Sequence, residues 1–240
     1  MGLAKINELN SSKRGLDGSV SHNCSRLGLF QRTLKRVVDI IVSSIILIVG
    51  LPFFLAIIIL IKVTSKGPGL FKQDRVGKNG KIFTFLKLRT MKVDSDNSRH
   101  KEFCRKFIEN ENSGVEIEGK DHRVFKIVDD PRITGVGKFL RKTGLDELPQ
   151  FINIFKGEMT LVGPRPPLKY EYKYYNDWHK QRLSVKPGLT GLWQVSGRSR
   201  VSFHEMVMLD LYYIENCSLM MDLKIVLKTI PVIFTGSGGY

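Results

Sequence analysis

Two adjacent carboxylates, Asp146 and Glu147, offer this chain its most plausible place for acid chemistry. They lie in the segment Arg141-Lys-Thr-Gly-Leu-Asp-Glu-Leu-Pro-Gln150, ahead of the apolar turn Phe151 to Phe155 and Lys156-Gly157. The spacing predicts that the pair opens a helix, because Pro149 is tolerated in a first turn and Gly157 is a helix stop. A capping role stands beside the chemical one, since Asp is a favoured N-cap and Glu a favoured first-turn residue. The neighbours argue for chemistry. Arg141 and Lys142 precede the pair and Arg165 follows it, so two carboxylates that should repel each other sit among cations that could also hold a phosphorylated substrate. In Pro164-Arg165-Pro166 two locked φ angles reduce the freedom that Arg165 loses on gripping an anion, although the same triplet also reads as an ordinary proline turn.

A second cationic pair comes earlier. Lys87 and Arg89 stand at strand spacing and are expected on one face, where two cations suit phosphate oxygens; a solvated basic edge strand is the plainer alternative. The strand that carries them follows Leu70 to Val76 through Gly77-Lys-Asn-Gly80, which predicts a short β-hairpin. Asp129 and Asp130 could bind a metal, but Asp-Asp-Pro more often makes a turn and cap. Cys24, Cys104 and Cys217 contain no CxxC, and the five histidines form no ligand-spaced pair, so neither a zinc site nor a histidine-based site is indicated.

These groups need a platform, and the chain supplies an unusual one. Residues 1–31 read as a flexible polar tail. Ile40 to Ile61 is apolar apart from Ser43, Ser44, Gly50 and Pro52, about 22 residues against the ~20 that span a bilayer. Pro52 falls mid-run and predicts a kink. Lys and Arg flank the run on both sides, the pattern of a re-entrant segment whose two ends face the cytosol, and the arm Ile40 to Leu51 reaches only ~18 Å. Ser43 and Ser44 are the candidates for satisfying backbone freed at the break. The anchor is assigned to residues 32–66 and a catalytic domain to 67–240. Tyr170 to Arg182, basic and aromatic, is expected as a helix in the membrane interface, or equally as a nucleic-acid surface. The loop Lys186 to Arg198 is punctuated by glycine and could let backbone amides approach a ligand. Two amphipathic helices are expected over Val201 to Asn216 and Met221 to Phe234.

The 240 residues carry a net charge of +15, spread along the chain, which favours a polyanionic partner: nucleic acid, an anionic membrane surface or phosphorylated small molecules. The expected fold class is α+β, mainly helical, with a re-entrant proline-broken membrane helix, interfacial amphipathic helices and a small β-hairpin around the site.

In this order the motifs resemble the bacterial sugar transferases of the monotopic polyprenyl-phosphate phosphoglycosyltransferase superfamily. They are Lys35-Arg36 to Asp39 before a proline-broken apolar helix, Gly67-Pro68, Gln73 to Gly77, Phe85 to Met91, Asp146 to Gln150, Asn153 to Gly157, Gly163 to Pro166, Lys186 to Gly191 and Asp222 to Ile225. The resemblance covers about Arg32 to Tyr240. It implies transfer of a sugar-1-phosphate, a hexose in the commonest case, from a UDP-sugar to undecaprenyl phosphate with release of UMP, the first membrane step of a surface glycan. It further implies Asp146 as the nucleophile, a covalent phosphosugar intermediate, Mg²⁺ between Asp146 and the diphosphate, Glu147 completing the dyad, Arg141 orienting it, and Pro164-Arg165-Pro166 against the nucleotide. The setting implied is the cytosolic face of the bacterial inner membrane among anionic lipids, without nucleic acid; the sugar and the oligomeric state, monomer or homodimer, stay open. Small members of the family carry Ser-Pro where this chain has Leu51-Pro52. The rival from another class is a membrane-tethered basic protein that binds anionic lipid or RNA without catalysis.

Overall fold

The computed structural model describes residues 28–93, 95–109, 115–116, 123–124, 130–197 and 200–235; the tail before Gly28 and Asp129 lie outside that set. Helix α1, Leu29–Thr64, begins inside the segment read as tail and runs through Pro52 as one 36-residue helix. Among the described residues it is the one helix long and apolar enough to cross a membrane, and almost none of its apolar stretch is buried by the protein. A hairpin follows, β1 (Leu70–Val76) and β2 (Ile82–Leu88), paired antiparallel from Leu70↔Leu88 to Val76↔Ile82. Its turn holds Asn79 at φ 55° and Gly80 at φ 77°, left-handed positions that Asn and Gly accept most readily.

Helix α2 (Ser98–Glu109), the short pair β3 (Val115–Glu116) and β4 (Arg123–Val124), and α3 (Gly135–Thr143) come next. A 3₁₀ turn, Leu145–Glu147, leads into α4 (Gln150–Lys156) and β5 (Thr160–Val162). Two single-turn helices, α5 (Lys169–Tyr172) and α6 (Asp177–Lys180), precede a 3₁₀ turn at Gln181–Ser184 and β6 (Gly188–Thr190), which pairs parallel with β5. Helices α7 (Leu192–Ser196), α8 (Phe203–Asn216) and α9 (Leu219–Thr235) close the chain. The architecture is thus mainly helical, with small sheets and a long apolar helix at the N-terminal end.

Polar residues near the start of α1 and apolar ones farther along dock it to the rest of the protein. Near its start, Lys35 Nζ donates to Asp222 Oδ2 (2.5 Å), the Tyr213 hydroxyl (3.0 Å) and the Val162 carbonyl (3.0 Å). Arg36 donates to the carbonyls of Ile154 and Phe155, a cation at the negative end of α4. Asp39, 4% exposed, accepts from Thr160 Oγ1 and Leu161 N and so secures β5. Between these points Val42, Ile46 and Leu47 pack on Phe85, Phe151 and Ile154. Farther along, Phe54, Ile57, Ile58 and Ile61 pack with Leu88 and Leu140. The outer face, including Ile41, Ile45, Ile48, Val49, Phe53 and Leu55, stays exposed. Ser43 Oγ donates to the Asp39 and Ile40 carbonyls in its own turn, not to the Ile48 carbonyl that Pro52 leaves without its helical donor.

Two expectations are corrected and a third holds. Tyr170 to Arg182 is not one helix: α5 ends at Tyr172, and the Asn176 side chain accepts from His179 N to start a new turn, with Tyr175 and Arg182 in the core at 6% and 2% exposure. Helix α8 is amphipathic as expected: His204, Glu205, Tyr212, Glu215 and Asn216, its residues that are not buried, share one face, and the rest of its surface is packed. The glycines of the 186–198 loop serve backbone packing. A Cβ on Gly188 or Gly191 would collide with the backbone of Gly163, so these positions let β5 and β6 close directly behind Pro164.

Asn153, fully buried, joins α4 to the hairpin edge. Its Oδ1 accepts from Leu86 N (3.1 Å) and its Nδ2 donates to Thr84 O (2.8 Å) and Glu158 Oε2 (2.7 Å). Asn153→Ala orphans the buried Leu86 N–H and removes the partner of the part-buried Thr84 carbonyl, and is expected to cost roughly 1–3 kcal/mol, read as a lower unfolding midpoint in detergent.

Candidate active site

The carboxylate pair is held by leucines on either side of it. Helix α3 ends at Gly144, whose φ of 70° turns the chain sharply, and the dyad follows on the 3₁₀ turn rather than opening a helix. Pro149 and Gln150 start α4, and Gly157 ends it at φ 82° as expected. Leu145 packs into the cluster of Ile61, Leu88 and Leu140, and Leu148 into that of Phe85 and Phe151. With its two apolar neighbours pinned in different clusters, the turn has little rotational freedom, and Asp146 is buried to 4% exposure.

Lys87 projects from β2 and its Nζ lies 3.0 Å from Asp146 Oδ2, the side chains being 19% and 6% exposed. Burial pulls the Lys87 ammonium below the ordinary lysine range; Asp146 opposes this, and the nearby Arg141 charge adds to it. Arg141, on α3, donates from Nε to Thr90 Oγ1 at 2.7 Å. Arg165 Nη1 stands 3.5 Å from Glu147 Oε1, each side chain about a third exposed, so this pair is open to solvent and weak in itself. Pro164 and Pro166, both buried, flank it. Each carboxylate is therefore paired with one cation, Asp146 with Lys87 of β2 and Glu147 with Arg165 of the segment after β5, and Arg141 of α3 lies within electrostatic reach of Lys87.

Arg89 lies elsewhere. Strand β2 ends at Leu88, and the Arg89 guanidinium turns back to the end of α1, donating to the Ser65 carbonyl and hydroxyl (2.8 Å each) and to the Lys66 carbonyl. It caps the anchor helix with a cation at its negative terminus, and both its Nη1 and Nη2 donate there. Lys87 and Arg89 thus do not share a phosphate-facing surface. Asp130 forms a bidentate pair with Arg132, in keeping with the turn-and-cap alternative.

Two buried cations escaped the sequence-based reading as site components. Arg75, 8% exposed, lies against the Phe85 ring at 4.6 Å and donates to the Pro166 carbonyl at 2.6 Å. Arg182 pairs with Asp210 at 2.5 Å, both almost fully buried. Asp210 was the available clue, an acid set between Val207 to Leu209 and Leu211 that demands a buried partner. Arg75 carried little signal beyond its place beside the apolar end of a strand.

Among the described residues no group of three or more His, Cys, Asp or Glu gathers to form a cage for a metal. The donor set matches Mg²⁺ all the same, because that ion is commonly held by one or two carboxylates plus substrate phosphates and water. Lys87 engages only Oδ2 of Asp146, and Glu147 is adjacent.

A buried carboxylate is thus paired with a lysine, its neighbour with an arginine, in a domain joined to an exposed apolar helix. The sequence matches the bacterial sugar transferase family over residues 30–236, and the chain belongs to that family. It is 49% identical over 173 residues to a galactosyl transferase, CpsE, of Streptococcus agalactiae serotype III, covering 72% of this chain and 36% of that one. Identity to an undecaprenyl-phosphate galactose phosphotransferase of Salmonella typhimurium is 43% over 87% of this chain and 42% of the relative. With the exopolysaccharide production protein ExoY of Sinorhizobium fredii it is 41%, over 86% and 88% of the two chains. The chain therefore spans about two fifths of the first two relatives and nearly all of the third.

Proposed function

We propose that the chain transfers a hexose-1-phosphate from a UDP-sugar to undecaprenyl phosphate, releasing UMP and starting a surface glycan. The observation that carries this reading is the contact of Lys87 with a buried Asp146, beside the pairing of Arg165 with Glu147. Attack of a carboxylate on a diphosphate sets anion against anion, so the site must neutralise charge where the phosphoryl group passes. Lys87, Arg141 and Arg165 supply that charge. An Asp146 oxygen attacks the phosphorus bearing the sugar, the bond to the bridging oxygen breaks, and UMP leaves with the electron pair. The acceptor phosphate then attacks the same phosphorus and frees Asp146. A covalent intermediate lets the soluble donor depart before the lipid arrives.

Asp146, with Glu147 beside it, would hold Mg²⁺. Bound there, the ion offsets charge on the diphosphate oxygens. Excess EDTA is expected to silence turnover and added Mg²⁺ to restore it, scored by UMP release.

The setting proposed is the cytosolic face of the bacterial inner membrane, with residues 32–66 entering and leaving by that face and 67–240 as the catalytic unit. What supports this is the docking of both ends of α1 on one body, through Arg36 and Asp39 at one end and Ser65 at the other. An exposed apolar stripe on α9, Met220, Leu223, Leu227 and Ile230, suits a helix lying in the headgroup region. Single cysteines placed before Leu29 and after Thr235 are expected to react with an impermeant thiol reagent only from the cytosolic side; labelling of the two from opposite sides would indicate a spanning helix. Incubation with mixed UDP-sugars and undecaprenyl phosphate, followed by UMP release, tests the activity and identifies the sugar. A merely lipid-binding or RNA-binding protein would release none.

A further inference from the structure

Pro164, Pro166 and Pro167 have no N–H, so the segment around Arg165 cannot be held by an ordinary ladder of backbone donors. It is held through its carbonyls. Four consecutive ones accept from separate donors: Pro164 O from Gly188 N (2.9 Å), Arg165 O from Arg182 Nη2 (3.4 Å), Pro166 O from Arg75 Nη1 (2.6 Å) and Pro167 O from Val76 N (3.0 Å). The shortest of these comes from a guanidinium that is itself immobilised. Arg75 Nη2 also donates to Gln73 Oε1 (3.2 Å), and its plane rests over Phe85, whose ring is packed with Phe151, Ile154 and Met159.

We infer that Arg75 is a positioning residue for Arg165: by fixing the Pro166 carbonyl it sets the direction in which the Arg165 guanidinium meets Glu147 and the substrate, without itself touching the reacting atoms. Phe85 lies two residues from Lys87 on β2, so the same contact ties the arm of one cation to the strand of another. Burial first, and then the neighbouring Arg165 charge, pull the Arg75 guanidinium down to about 10. Their repulsion also favours Arg165 swinging toward Glu147. Arg182, anchored by Asp210 and by the Tyr175 hydroxyl, steadies the preceding carbonyl in a similar way.

This inference rests on the transferase reading through Arg165, and a double-mutant cycle on the full chain in nanodiscs tests it. Arg75→Met is expected to lower kcat/KM for the UDP-sugar by about 10- to 100-fold, since small displacements of a positioned group are costly. In an Arg165→Ala background the same change should matter by less than about twofold, because nothing remains to be positioned. Arg75→Lys keeps one donor for Pro166 and should recover part of the loss, and it serves as the test should Arg75→Met not fold. Losses that multiply would show that Arg75 acts on substrate or on the fold at large and would overturn the proposal. An Arg165→Ala enzyme as active as the parent would do the same while leaving the transfer reaction intact. Hydrogen exchange adds an arm that needs no turnover. In Arg75→Met the amides of Val76 and Gly188 should exchange at least about tenfold faster, with Arg75→Lys intermediate, while Leu86, held by Asn153, is unchanged. Unchanged protection at Val76 and Gly188 would overturn the clamp even if UMP release by the parent confirmed the activity.

Discussion

Asp146→Asn is expected to abolish UMP release, a fall of at least about 10⁴-fold in turnover, because the amide cannot supply the nucleophilic oxygen and its loss removes the first of two chemical steps. The variant isolates chemistry from folding. Asn has nearly the same volume, and its carbonyl can still accept from Lys87, so the 3₁₀ turn keeps its packing through Leu145 and Leu148. A melting midpoint close to the parent's together with absent turnover is the expected combination. A variant that retains the parent rate would remove Asp146 from the reaction.

Lys87→Ala is expected to lower kcat by about 10²- to 10³-fold, the scale on which loss of one preorganised charge at a developing anion is felt. The alkaline limb of the parent enzyme carries a second signal. An ammonium is charged below its pKa and loses its charge as pH rises through it. Burial sets that value for Lys87 below the ordinary lysine range, so kcat/KM should decline earlier than an exposed lysine would allow. Lys87→Arg keeps its charge at higher pH and should move the limb upward, whatever its absolute rate. An alkaline limb that stays in place in Lys87→Arg would assign the titration to another group.

The dyad, the proline-framed Arg165, the hairpin and the long apolar helix were all legible because each is written locally. Two adjacent acids, alternating strand residues and an uninterrupted apolar run need no knowledge of distant partners. What was not legible depends on pairings across the chain. Lys87 and Arg89 differ by two positions and look equivalent in the sequence, yet one meets Asp146 and the other caps α1. Strand alternation predicts a shared face only while the strand lasts, and β2 ends between them. The aromatic stretch from Tyr170 suggested an interfacial helix, but it ends at Tyr172, a new turn starts at Asn176, and Tyr175 between them lies in the core. The glycines near Lys186 suggested a ligand cradle and instead admit a neighbouring strand, since closeness to Gly163 cannot be read from spacing. Lys35, Arg36 and Asp39 counted only as flanking charge and motif, although they bind β5 and α4 to the anchor and so fix the frame on which Arg165 stands.

The same frame suggests why a membrane enzyme of this kind would need its anchor for more than location. Both strands that lead to the site are fastened to α1, β5 through Asp39 and β2 through the hydrogen bonds of Arg89 just beyond it. Intact-protein mass spectrometry after rapid quenching of the enzyme with its UDP-sugar and Mg²⁺, without lipid acceptor, tests the central claim most directly. The expected result is a mass increase equal to one sugar phosphate, located by peptide mapping on Asp146, absent in Asp146→Asn and discharged on adding undecaprenyl phosphate. Lipid-linked product accumulating in the full reaction while Asp146 never carries added mass would contradict it.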